Sequence, residues 1–355
     1  MRVIIPLMLI SFLFLSCERE WISNEFIKPD ASNNIPDSST YNEEPAKEDP
    51  VVIKSVDVKN STSFSLKDRL VFDIGNSDTK IGLLEGGEDE LPSGPMSFSV
   101  SEDGEVYILD TINAAIKVFD SSRGLKGLIS ISERARDIVD IVVTPNKEIA
   151  VSDMSQQMVF LLKNTAKSLS EYFKSYKISG INDFSGLTST LKGNIFVRYG
   201  DQQMLKLNES GLNIPFMSLI SRNEDMFFRL KKVSGSLSML FMSSMDQNST
   251  FKGNAEKQIE LALGMPVLSM SFLDTDAKGR QYLLVEVDDG SSEVVKVKRY
   301  VIRTGAKAED WSKPIEIPLD VYAFPFKDIV IGSDGSVYAM LVYKDRVEVA
   351  RWKTE

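Results

Sequence analysis

Three side chains stand at one recurring place in this 355-residue chain. Ser97, Asp140 and Asp328 each lie six residues before the Asp or Asn of a tight turn, at Asp103, Asn146 and Asp334. Asp183 falls near the same place if its unit holds about three extra residues. Oxygen ligands gathered in this way suit calcium, magnesium or a cationic ligand, since hard cations need neither imidazole nor thiolate. The more economical role for the same acids is to cap loops and to accept hydrogen bonds from backbone N–H groups. Little other site chemistry is open to the chain. It has no histidine, which removes Ser-His-Asp triads, imidazole acid/base catalysis and imidazole-ligated metals. Its single cysteine removes intrachain disulfides, thiolate clusters and CxxC redox centres. Met239, Met242 and Met245 are spaced by three, which on a strand alternates faces and argues against a copper(I) site.

The elements that would position these residues recur along the chain. The clearest unit runs from Val100 to Asp120: a strand, an Asp103-Gly104 turn, a β-rich strand, a polar turn at Asp110–Asn113 and an alternating third strand. Asp110, Asn113 and Asp153 read as turn residues that bond their own backbone. Taking the second turn residue of each unit gives positions 104, 147, 193, 235, 279 and 335, separated by 43, 46, 42, 44 and 56. Forty-odd residues make one four-stranded propeller blade, so the expected fold is all-β, a six-bladed β-propeller over 63–355. Residues 303–323 read as a loop inserted in the longest interval. The segment from Phe64 to Glu85 would supply an outer strand to close the ring against the C-terminal strands.

The stretch "GPMSFSVSEDGEVYILDTINAAIKVFD" resembles an NHL-type repeat, a β-propeller family. The likeness is good over 92–131 and fair at 137–162 and 324–352; Ala115 replaces the basic residue usual before the third strand. Propeller lactonases place Glu, Asn and Asp around a divalent ion in the central channel, and of the propeller enzyme chemistries only that one survives this composition.

The amino terminus reads as an address. Arg2 precedes an apolar run from Val3 to Leu15, too short to span a bilayer and suited to a signal peptide over 1–16. Phe14-Leu15-Ser16-Cys17 resembles a relaxed bacterial lipobox, which implies lipidation of Cys17 and anchoring to a membrane, the outer membrane being the expected one. The polar, proline-bearing segment 17–62 reads as a flexible acidic tether, with nine acids and three bases over 18–50. Net charge is −10, from 51 acidic and 41 basic residues, with no basic stripe, which argues against nucleic acid as a partner. The chain is thus expected to be a lipid-anchored envelope propeller that binds protein or an extended ligand, without catalytic residues or cofactor. The alternative is a divalent-cation-dependent hydrolase or lactonase using the channel carboxylates.

Overall fold

The computed structural model describes residues 52–55 and 66–353, apart from residues 179, 182, 201, 208–213, 217, 235–236, 245–256, 263, 292–294 and 305–311. Cys17, the leader and most of the expected tether lie outside the described residues. Two strands come first, β1 (Val52–Ser55) and β2 (Leu66–Asp73). Then follow β3 (Ser97–Val100), β4 (Val106–Asp110), β5 (Ala115–Phe119) and β6 (Leu125–Ser130), which form the first blade. The second blade is β7 (Ile138–Val143), β8 (Ile149–Asp153), β9 (Met158–Leu162) and β10 (Lys174–Lys177). The third is β11 (Phe184–Ser189), β12 (Ile195–Tyr199), β13 (Gln203–Lys206) and β14 (Ile214–Phe216). The fourth contains β15 (Leu219–Ile220), β16 (Met226–Ser234), β17 (Leu237–Ser244) and β18 (Lys257–Ala262). The fifth is β19 (Val267–Thr275), β20 (Gln281–Asp288), β21 (Val297–Thr304) and β22 (Ile315–Ile317). The last is β23 (Ile329–Ile331), β24 (Val337–Val342) and β25 (Arg346–Trp352), with β2 on its outer edge.

The chain is therefore an all-β propeller, with five regular four-stranded sheets and a fourth unit that departs from them. That unit has five strands, because β1 adds in parallel to the outer edge of β18. The expected tether through residue 62 is corrected here: residues 52–55 are sheet, since "VIKS" finds an open edge to pair with. Likewise, residues 303–323 are not wholly an inserted loop, because β22 supplies the outer strand of the fifth blade.

The middle strands are continuous apolar runs because both of their faces are covered by neighbouring blades. All five residues are buried in each of β4 (VYILD), β5 (AIKVF) and β8 (IAVSD). The cores lie between blades. Leu109 and Ile116 meet Ile141, Ile149 and Phe160 between the first and second. Tyr282 and Val301 meet Val337 and Trp352 between the fifth and last.

In every blade a β-turn joins the inner strand to the second, and its fourth residue is left-handed. Gly104, Gly193, Gly279 and Gly335 have φ of 85, 79, 75 and 82°, which glycine adopts without steric cost. The second blade places Lys147 there instead, at φ 61°. Its ammonium reaches Asp103 at 2.5 Å and Glu105 at 3.0 Å on the first blade. Hydrogen bonds to those acids raise Lys147 above the usual lysine range, and Lys147 in turn holds Asp103 below the usual carboxylate range.

The fourth repeat position is corrected. Residue 235 lies outside the described residues. The equivalent hydrogen bond is Glu224 N to Ser221 O at 2.9 Å, with Glu224 at φ 59°. The true positions are thus 104, 147, 193, 224, 279 and 335, separated by 43, 46, 31, 55 and 56. The shortened approach to the fourth blade leaves its inner strand, β15, only two residues long.

β2 closes the ring as the outermost strand, antiparallel to β25 from Leu66↔Trp352 to Asp73↔Arg346. Phe72 is buried and its ring centroid lies 4.5 Å from that of Phe119, so the closing strand also packs onto the first blade. Phe72→Ala is expected to destabilise the protein by about 3–5 kcal/mol, as a buried Phe truncation does. Urea denaturation checks this; a loss under about 1 kcal/mol would mean that β2 merely decorates the ring.

Candidate binding channel

The αL turns set a common register, and seven residues before each one lies a position at the same depth on the inner strand. These positions hold Ser97, Asp140, Gly186 and Asp328 in four of the regular blades, while in the fifth a bulge between Phe272 and Asp274 moves the equivalent place to Ser271, opposite Leu284. The third blade thus contributes Gly186, not Asp183. Asp183 is exposed at φ 56°, and its carbonyl accepts Gly200 N at 2.9 Å. In the fourth blade Phe228, six residues before Ser234, sits on the second strand β16, buried opposite Leu219.

Asp140 is fully buried and its carboxylate collects donors from four blades. Oδ1 accepts from the Ser97 hydroxyl on the first blade, from its own neighbour Ile141 N at 2.8 Å, and from Lys327 Nζ at 2.6 Å. Oδ2 accepts from Leu187 N on the third blade at 2.6 Å. Lys327 precedes β23 of the last blade and also donates to Ile141 O at 2.5 Å. A carboxylate has about four lone-pair sites, and four donors fill these. Gly186 is needed beside it, because a Cβ there would stand 3.1 Å from Oδ2 at a backbone φ of 135°.

Asp328 belongs to a second cluster. Arg299 on β21 grips it with both terminal nitrogens, at 2.5 and 3.2 Å, and lies 3.4 Å from Glu286 through Nε. Burial works against the charge of Arg299, but Asp328 and Glu286 outweigh it and raise the guanidinium above its ordinary value. The four expected ligands therefore do not converge: Ser97 and Asp140 meet each other, Asp328 meets an arginine, and Asp183 faces away. Among the described residues no three acidic, cysteine or histidine side chains are grouped to hold a metal ion.

The inner strands enclose a channel cavity of about 740 Å³. Besides Arg299, two more arginines absent from the sequence reading line it. Arg222, after β15, pairs with Asp274 at 2.6 Å and donates to Ile331 O at 2.8 Å. Arg198 on β12 is the cross-strand partner of Gly186, which carries no side chain to obstruct it. Its guanidinium reaches across to β19, donating to Leu273 O at 3.0 Å and to Phe272 O. Burial lowers Arg198 from the usual guanidinium value, against the opposing pull of Asp274 and Asp140. The truncated β15 also leaves an edge of β16 open. The Gln202 amide covers it, donating to Leu230 O at 2.6 Å and accepting from Leu230 N.

Glu224, at the rim between the third and fourth blades, takes the place that glycine holds in four of the other blades. Thr190 and Asn194 donate to it, and Lys206 lies 3.4 Å away. Burial pushes its carboxyl up, but these partners together bring it below the ordinary glutamate value.

Asp110, Asn113 and Asp153 act as turn residues. Asp110 accepts from Asn113 N at 3.1 Å, and Asp153 from Gln156 N at 2.9 Å. Asp110 also holds a buried ion pair with Lys117 at 2.9 Å and accepts from Gly82 N at 3.0 Å, which clamps the 75–82 loop. Lys117 was missed because it sits inside an apolar strand, two residues beyond the place where the repeat pattern looks for a base.

Asp140→Asn is expected to cost about 3–5 kcal/mol in urea denaturation, because it leaves the Lys327 ammonium without its counter-charge. The double variant Asp140→Asn with Lys327→Met should lose less than the two single changes together. Strict additivity would contradict the pairing.

No family model matches the chain, and no curated protein sequence matches it. Solved structures do. A streptogramin B lyase shows 14% identity and a TM-score of 0.42 over 77% of this chain and 98% of its own. A virginiamycin B lyase from Staphylococcus aureus shows 9% identity and 0.44 over 81% and 99%. A member of the DUF4221 family from Bacteroides vulgatus shows 10% identity and 0.46 over 82% and 98%. At these values no activity carries over, and the propeller assignment rests on strand order and register.

Proposed function

We propose that this chain is an exported lipoprotein whose propeller is a non-catalytic binding or scaffolding module of the cell envelope. The observation that carries the non-catalytic reading is the pairing of the channel acids. Asp140 is saturated by four donors, Asp328 is gripped by Arg299, and Asp274 is paired with Arg222. Carboxylates held in this way are neither general bases nor open metal ligands, since each would first have to give up a desolvated cation. What the ring offers instead is a rigid cavity with polar donors and apolar walls, which suits a ligand.

Anchoring rests on the sequence: the short apolar leader, the relaxed lipobox ending at Cys17 and the polar stretch behind it. Two or three acyl chains would hold the protein stably at a membrane, where one is marginal. Partners would be reached by the propeller faces or by the channel mouth.

Titration of the full-length chain in detergent with calcium and with magnesium tests the non-catalytic reading. The expected melting temperature is unchanged. A resident ion at one hundred times its Kd would add about 2.7 kcal/mol, a rise of about 5 °C at this size, and that result would restore a divalent-cation-dependent hydrolase. Anchoring is tested separately. Cys17→Ala should abolish incorporation of labelled palmitate in cells, and retained label would remove Cys17 as the attachment point.

A further inference from the structure

Three acids about the channel each hold a cation from another strand: Asp140 holds Lys327, Asp328 holds Arg299 and Asp274 holds Arg222. Arg198 stands outside this matching. Among the described residues it makes no ion pair, and its guanidinium is held by the carbonyls of Phe272 and Leu273 alone. One further buried N–H group on the same cavity, Arg222 Nε, makes no hydrogen bond. A half-buried guanidinium held by carbonyl dipoles, with no carboxylate at ion-pair distance, is an unfinished electrostatic arrangement, and a buried unsatisfied donor on the same cavity points the same way.

We propose that the central channel binds a small molecule bearing a carboxylate on an apolar body, with Arg198 as the counter-ion. This deepens the binding reading above and rests on it. A single unmatched cation fits a monoanion, and the planar guanidinium fork fits the two oxygens of a carboxylate. The apolar body is accommodated by Leu230, Met270, Leu284 and Val330, half-buried side chains that line the same cavity. Its volume of about 740 Å³ lies in the range of small-molecule sites. Arg198 can stand there because Gly186, its partner across the strand pair, carries no side chain, and because β15 ends after two residues. Both departures from the regular blade thus serve one position.

Benzoate and its neutral isostere benzamide are the probes, titrated calorimetrically into the full-length chain in detergent at constant ionic strength. Benzoate is expected to bind at least tenfold more tightly than benzamide. Arg198→Gln should abolish that difference, and Arg198→Lys should keep part of it. A readout on the unaltered chain guards against misfolding of the variants. Phenylglyoxal modification of Arg198, mapped by mass spectrometry, should be slowed by benzoate and not by benzamide. Equal affinity for the two probes, no benzoate binding, or tighter binding of inorganic phosphate than of benzoate would overturn the proposal. Any of these would leave the calcium and magnesium titration, and so the non-catalytic reading, standing by itself.

Discussion

The architecture depends on one carboxylate. Asp140 is where the first, second, third and last blades are joined by hydrogen bonds rather than by apolar contact alone. Inter-blade apolar packing is strong but indifferent to small slips, because stacked sheets of Val, Ile and Leu fit in many ways. A saturated, buried carboxylate does not tolerate a slip, since any displaced donor leaves an unsatisfied buried group. The depth at which the inner strands meet is therefore fixed by polar chemistry at the centre, and the apolar layers follow.

The fourth blade shows what happens where that constraint is absent. Its inner strand contributes two residues, and among the described residues no strand pairs with this edge of β16 beyond Phe228. Two side chains of the third blade make up part of the difference. The Gln202 amide pairs with both backbone groups of Leu230 as a strand would, and Arg198 bonds the carbonyls of β19 beyond it. Polar side chains substitute here for backbone, and the ring stays continuous while the channel is widened and charged.

The repeat and the closing strand were legible because their signals are local. A polar residue followed by glycine calls for a left-handed turn, and Gly104 after Asp103, Gly279 after Lys278 and Gly335 after Asp334 take that conformation where the spacing puts it. The fourth turn was not legible, since Glu224 occupies the left-handed position without a glycine to advertise it, and Ser234-Gly235 lay at a more regular distance. For the site, the sequence pointed to Ser97 and Asp140 on inner strands and to Asp328 just before β23, but could not reveal their partners. Lys327, Arg299, Arg222 and Arg198 come from other blades or other strands. Lys327 lies 187 positions from Asp140, and no local pattern links such residues. Asp183 was misplaced by three residues because Gly186, the true equivalent, carries no chemistry to notice.

Ring closure by β2 also orders events in time. Arg69 on β2 meets Glu348 on β25 across 279 residues of chain. At about 5–20 residues per second, synthesis of that interval takes roughly 15–55 s. The first strand of the ring thus waits for the last, holding an unpaired edge, while the intervening blades, each built from neighbouring segments, have time to form. Completion of the propeller is a late, long-range step in which the two ends of the domain meet, and stability arrives with the final strand rather than accumulating blade by blade.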